Sequence, residues 1–245
     1  MNLEEIHDRV KLLWPDKELA KIYMSGDKFW DNLCDEIPSQ LIHGLKKHNK
    51  ILDDALSQGQ IKSKQWLLKN LQGIDLGIVF ICAGWYGTLA VMMFEDENIY
   101  VDKIRSFDLD DSCWKIAEDF NKLWAQDNWK FKAITQNILD INYIEHSWTF
   151  WSKKNNRESY PIIDKPNTII NTSCEHIEKF TEWVNLIPKG KLVALQTNDY
   201  FDLPEHVNCV NDITEFKQQT SLNNIIYEGE LELEKYTRFM LIGYK

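Results

Sequence analysis

Gly77-Ile78-Val79-Phe80-Ile81-Cys82-Ala83-Gly84-Trp85-Tyr86-Gly87-Thr88 is an apolar run rich in branched side chains that breaks abruptly at two glycines. Such a run suits a strand buried on both faces. The glycines mark a tight turn, and Thr88 to Phe94 then reads as a helix. The stretch is too interrupted to span a bilayer.

Downstream the strand-and-helix rhythm repeats. Ile99 to Phe107 reads as a second strand ending at Asp108-Leu109-Asp110, and Asp110, Asp111 and Ser112 offer N-cap oxygens for a helix from Cys113 to about Trp124. Further strands are expected at Phe131 to Thr135 and at Thr168 to Asn171. The amphipathic segment Glu175 to Leu186 leads to a fifth strand at Lys191 to Gln196. This alternation implies a parallel sheet with right-handed crossovers. The last segment breaks the pattern. Asn224 to Leu233 and Tyr236 to Tyr244 are strand-like runs separated only by Glu234-Lys235, so they must pair antiparallel, with the last strand beside the fifth.

Upstream, residues 1 to about 72 read as a helical extension. Helices are expected at Glu4 to Trp14, Asp27 to Glu36, Ser39 to Leu56 and Lys64 to Leu71, before Gly73 and Asp75 punctuate the chain. The division is therefore 1–72 and an α/β domain over 73–245. With 245 residues and 44% hydrophobic content, the chain has enough apolar material for one sizeable core and an appendage.

The start Met1-Asn2-Leu3-Glu4-Glu5 lacks the basic and apolar segments of a secretory signal, so a cytoplasmic location is expected, with no membrane partner. Five scattered cysteines without a CxxC pair argue against a disulfide framework or structural zinc. A formal net charge of −10 disfavours nucleic acid as a partner, because phosphate binding draws on a basic surface. The short basic clusters Lys46-Lys47-His48 and Lys153-Lys154 with Arg157 read as solvated faces.

The junctions at the strand ends carry the functional reading. They and the closing hairpin resemble the class I S-adenosylmethionine (SAM) dependent methyltransferases over roughly residues 76–245. The resemblance implies a Rossmann-like, mostly parallel seven-stranded sheet, SAM as cofactor, and methyl transfer to a small molecule or protein. In that family the first strand runs into a glycine-rich turn against SAM, here Cys82, Gly84, Trp85, Tyr86 and Gly87, although Cys82 replaces the usual acid. The acid ending the second strand holds the ribose hydroxyls. Asp108 stands there, followed by Leu109. The third strand end reads the adenine, which implicates Asn137 and Ile138. The fourth faces the transferred methyl, which implicates Asn171. Asn171 lacks the two prolines and the aromatic that often follow it in nucleobase and protein-amide methyltransferases, so that device is not supported.

All strand C-termini of such a sheet open on one edge, where ligands bind. His176, just beyond the fourth strand, is the candidate general base, because imidazole titrates near neutrality. Glu175 suits the helix start. Tyr23 and Trp30 are candidate substrate-binding residues in a lid. Glu228, Glu230, Glu232 and Glu234 read as a solvated strand face, and His206 with Cys209 as a lone pair of candidate ligands, so no metal site is expected. Two alternatives stay open: transfer of the aminocarboxypropyl arm of SAM (or elimination), and a non-catalytic module that kept the fold.

Overall fold

A computed structural model describes residues 55–149, 151–152, 157–158 and 161–245. The helices expected at Glu4 to Trp14 and Asp27 to Glu36, nearly all of the one at Ser39 to Leu56, and the candidates Tyr23 and Trp30 lie outside the described residues.

Helix α1 (Gln58–Leu71) starts where Ser57 Oγ accepts the amide of Gln60, and buries Ile61, Leu67, Leu68 and Leu71. The domain then follows as β1 (Ile78–Cys82), α2 (Thr88–Glu95), β2 (Lys103–Asp108), α3 (Cys113–Phe120), α4 (Lys122–Gln126) and β3 (Phe131–Thr135). After an insertion come β8 (Thr168–Asn171), α5 (Phe180–Leu186), β9 (Leu192–Asn198), α6 (Ile213–Gln219), β10 (Asn224–Glu232) and β11 (Thr237–Tyr244). The insertion holds β4 (His146–Trp148), β5 (Trp151–Ser152), β6 (Arg157–Glu158) and β7 (Ile162–Asp164). These form two small antiparallel pairs, β4 with β7 and β5 with β6.

The main sheet has seven strands in the order β10-β11-β9-β8-β1-β2-β3. Strand β1 pairs parallel with both β2 and β8. Strand β11 lies antiparallel between β9 and β10, with Leu241 opposite Leu195. The expected mostly parallel sheet with a C-terminal antiparallel pair is therefore present, and the last strand sits beside the fifth, as expected.

Period-two alternation sorts side chains to the two faces. Val79 and Ile81 of β1 join α1, α2 and α3 in one core, whereas Phe80 and Cys82 join α5 and α6 in the other. Met240 and Ile242 face the first core, and Phe239 and Leu241 the second. Burial on both faces explains why these strands read as continuous apolar runs.

Several elements differ from expectation: the second strand starts at Lys103 rather than Ile99, the helix expected from Lys64 starts at Gln58, and the strands of the insertion and helix α6 were not expected. The helix expected from Cys113 to Trp124 is broken at Asn121, whose Nδ2 donates to the carbonyls of Ala117 and Gly87 at 3.0 Å each. A side chain that bonds the backbone competes with the helix ladder. The expected Glu175 to Leu186 helix is a 3₁₀ turn, Cys174–His176, followed by the shorter α5. Helix α6 had a local signal, Asp212-Ile213-Thr214-Glu215. Asp212 Oδ1 accepts the Glu215 amide at 2.8 Å, and Glu215 Oε2 accepts the Asn211 amide at 2.7 Å, a variant of the capping box. Asp212→Ala is accordingly expected to lower stability by about 1 kcal/mol, read from a denaturant midpoint at unchanged m-value. An unchanged midpoint would show that tertiary packing alone sets this helix.

Candidate functional site

The chain leaves β1 through a turn that only a small residue permits. A Cβ on Gly84 would lie 2.0 Å from Ser106 Oγ, so the glycine lets the turn press against β2, where its amide donates to the Phe107 carbonyl at 2.9 Å. Ala83 and Trp85 flank it at φ of 56° and 47°, a region that side-chain-bearing residues rarely occupy. Asp108 supports the strained Trp85: its Oδ2 accepts the Trp85 amide at 2.8 Å, while Oδ1 accepts the Asp110 amide at 3.1 Å. The Trp85 and Tyr86 rings stack at 4.5 Å. Gly87, at φ 70°, opens α2 and is held from below by Asn121.

The other candidates arrive on the same edge in different states. Asn137 is half-buried and caps a short turn through Oδ1, which accepts the Leu139 amide at 3.0 Å. Ile138 is buried, and its carbonyl accepts the Tyr143 hydroxyl at 2.8 Å. Leu109 is 72% exposed. Cys82 is fully buried. Burial pushes its thiol up to about 12, with hydrogen bonding to Tyr143 offsetting part of the rise, so it stays a protonated thiol inside the core. Asn171 is also fully buried. Its Oδ1 accepts the Ser173 amide at 2.8 Å, but its Nδ2 has no hydrogen-bond partner among the described residues. A buried amide donor left unmatched costs free energy that an arriving acceptor removes.

Past the ends of β8 and β9 lies a cavity of about 500 Å³, lined by His176 but by none of Cys82, Gly84, Trp85, Tyr86, Gly87, Asp108, Leu109, Asn137, Ile138 and Asn171. Its wall combines the start of α1 (Ser57 to Gln60), Glu175 and His176, Tyr200 and His206, and the β10–β11 turn with Tyr236. Tyr200 and Tyr236 stack at 5.7 Å. His176 Nδ1 lies 3.1 Å from the Glu205 carbonyl and His206 Nδ1 lies 2.7 Å from the Tyr200 carbonyl.

Glu175 does not serve a helix start. Its Oε1 accepts from Asn198 Nδ2 at 2.8 Å and from Arg238 Nη2 at 3.1 Å, and Arg238 also donates to the Thr172 carbonyl at 2.6 Å. Arg238 is 1% exposed and Glu175 2%, so the pair ties the 3₁₀ turn to β9 and β11 from inside. Sequence reading passed over Arg238, Tyr200 and Tyr236. The available signal was an arginine entering the apolar run Phe239 to Ile242, because a charge in a buried strand requires a partner.

No protein-family model matches the sequence, and a search of curated proteins finds no relative. Solved structures do align. N-methyltransferase NodS from Bradyrhizobium japonicum, in complex with S-adenosyl-l-homocysteine, superposes with a TM-score of 0.54 at 10% identity, covering 79% of this chain and 90% of that one. A SAM-dependent methyltransferase from Clostridium acetobutylicum gives 0.52 at 12%, covering 81% and 98%. The small RNA methyltransferase HEN1 gives 0.52 at 13%, covering 75% of this chain and 26% of that one. The strand order, the inserted antiparallel β11 and these superpositions together give the chain the fold of the class I SAM-dependent methyltransferases.

Proposed function

We propose that the chain transfers the methyl group of SAM to a nucleophile on a small-molecule or protein acceptor seated in the 500 Å³ cavity. The observation that carries this reading is the convergence of the Gly84 turn, Asp108, Asn137 and Asn171 on one sheet edge, with an unmatched buried amide among them. Asp108 would hold the ribose hydroxyls, Asn137 and Ile138 the adenine edge, and the turn from Cys82 to Gly87 the amino-acid end. Leu109 and Asn171 would complete the cradle. Cys82 would contribute through its backbone, its thiol being sealed in the core. When bound, SAM supplies a methyl group already activated by the sulfonium. The protein's task is then to align the acceptor and exclude water.

The N-methyltransferase NodS and the small RNA methyltransferase HEN1 share this fold, so the fold does not choose the acceptor. The net charge of −10 favours one that is not nucleic acid. Ser57, Gln58 and Gln60 stand on the cavity wall, which supports residues 1–72 as a cover over the acceptor, with Tyr23 and Trp30 as its contacts.

Calorimetry with SAM and S-adenosylhomocysteine tests the cofactor: both should bind, and binding of neither would overturn the reading. SAM labelled separately in its methyl and carboxypropyl carbons tests the reaction. Label from the methyl alone should reach the acceptor, whereas carboxypropyl label there would mean the other bond is broken.

His176 is the proposed base. A carbonyl only accepts, so a neutral ring donates Nδ1–H to Glu205 and keeps a lone pair on Nε2. His176→Ala is expected to lower turnover about 10²-fold while SAM affinity and melting temperature stay near wild type. Full activity in that variant would remove His176 from the chemistry.

A further inference from the structure

Glu175, His176 and His206 bring a carboxylate oxygen and two ring nitrogens within 4.8 Å of one another on the cavity wall. Three features set this cluster apart from a chance gathering of polar groups. First, Glu175 Oε2 is buried with no hydrogen-bond partner among the described residues, although Oε1 of the same carboxylate takes two. A carboxylate oxygen out of water and without a donor is costly, and a cation is one way to satisfy it. Second, Arg238 and Asn198 grip the carboxylate through Oε1 alone, which fixes its orientation and leaves Oε2 without a donor. Third, each imidazole places Nδ1 against a backbone carbonyl, at 3.1 Å for His176 and 2.7 Å for His206. That contact sets the tautomer and leaves the Nε2 lone pair of both rings free, which is how metal-bound histidines are held from behind. The two rings stand at 84° with centroids 4.7 Å apart, close enough for both nitrogens to reach one ion.

We propose that Glu175 Oε2, His176 Nε2 and His206 Nε2 form a binding site for a divalent transition-metal ion, with Zn²⁺ the best match to two imidazoles and one carboxylate. Bond lengths of about 2.0–2.2 Å place tetrahedral ligands roughly 3.3 Å apart, so side-chain shifts of about 1 Å complete the site. Cys209 stays outside the set. Its Sγ lies 3.3 Å from both Asn198 Oδ1 and the Tyr200 carbonyl, which share its single proton, and 3.7 Å from His206 Nδ1 rather than Nε2. Three protein ligands leave a fourth position open, and on this wall it faces the cavity, where an oxygen, nitrogen or sulfur of an acceptor can enter. An ion on His176 Nε2 takes the lone pair that would otherwise accept a proton. Ligand and free base are therefore alternative states of His176.

The site does not depend on the methyltransferase reading and is tested apart from it. The chelator-stripped chain is titrated with Zn²⁺ by calorimetry, and with Co²⁺ while its visible absorption is followed. The expected result is one tight ion per wild-type chain, an intense four-coordinate Co²⁺ band, and affinity at least tenfold weaker in both His206→Ala and His176→Ala. Both histidines are partly exposed, so these variants should fold. Melting temperature and SAM binding, expected to stay at wild-type levels, verify that. Glu175→Gln is a supporting variant, to be read only if it folds. Absence of one-to-one binding to wild type, or unchanged affinity in the two histidine variants, overturns the proposal. SAM binding that persists alongside either result leaves the methyltransferase reading standing.

Discussion

Asp164→Ala is expected to destabilise the fold by about 3–5 kcal/mol, enough to leave a marginal domain partly unfolded at ambient temperature. The carboxylate, 2% exposed, anchors the inserted β4–β7 pair to the main sheet. Its Oδ2 accepts from Arg105 Nε at 2.6 Å and from Trp148 Nε1 at 2.6 Å, and Oδ1 accepts from Arg105 Nη2 at 3.3 Å. Arg105 is fully buried beneath the Trp148 ring, with its guanidinium carbon 5.0 Å from the ring centroid. Removing the carboxylate leaves that cation in the core uncompensated, which costs more than the pair itself contributes. Two comparisons isolate the mechanism. Asp164→Asn keeps an acceptor for Trp148 and should lose less. The double variant Arg105→Met with Asp164→Leu removes both charges and should recover much of the loss. A double variant as unstable as Asp164→Ala alone would mean that packing, not the stranded charge, sets the cost.

The same pair gives a pH signature. Burial raises the Asp164 pKa, but hydrogen bonds from Arg105 and Trp148 and the arginine charge outweigh it, so the net position is below the usual carboxylate range. A depressed folded pKa contributes stability that is complete above the unfolded value, about 3.9. That stability is lost as pH falls from there through the folded pKa. Wild-type stability should therefore drop more steeply below about pH 4 than that of the double variant. Parallel acid profiles would exclude Asp164 as the source.

Buried charges also mark where sequence reading stops. Strands Phe131–Thr135 and Thr168–Asn171 were legible because strands buried on two faces print as short branched runs ended by polar residues. The hairpin was legible because two linking residues admit one topology. Nothing local announces that Arg105 pairs with Asp164, 59 residues away, or Arg238 with Glu175, 63 away. To pattern reading each is a polar residue in a strand or at a helix start. The cavity has the same character. Its wall joins the beginning of α1 to the β10–β11 turn, and only the assembled sheet brings them together. Positions set by strand ends, Gly84, Asp108, Asn137 and Asn171, could be placed in advance because a parallel sheet collects its C-termini on one edge.

Asp108 is the position where that edge logic makes its strongest claim about function. Both carboxylate oxygens already accept a backbone amide, Trp85 at 2.8 Å and Asp110 at 3.1 Å. Each oxygen has two lone-pair sites, so one on each remains for a ribose hydroxyl. The residue is half-buried at the end of β2, where solvent weakens the bonds less than on an open surface. If Asp108 holds the ribose as proposed, Asp108→Ala removes two charge-assisted hydrogen bonds of about 1.5–3 kcal/mol each and also frees the strained Trp85 turn. SAM affinity measured by calorimetry is expected to fall at least about 100-fold, while the circular dichroism spectrum and a cooperative melt persist. Asp108→Asn keeps one acceptor oxygen and should fall between wild type and alanine. Because the ribose is common to both ligands, S-adenosylhomocysteine should weaken in parallel with SAM. A loss confined to SAM would point to the sulfonium instead. Unchanged affinity for both ligands in a folded Asp108→Ala variant would show that the ribose is held elsewhere.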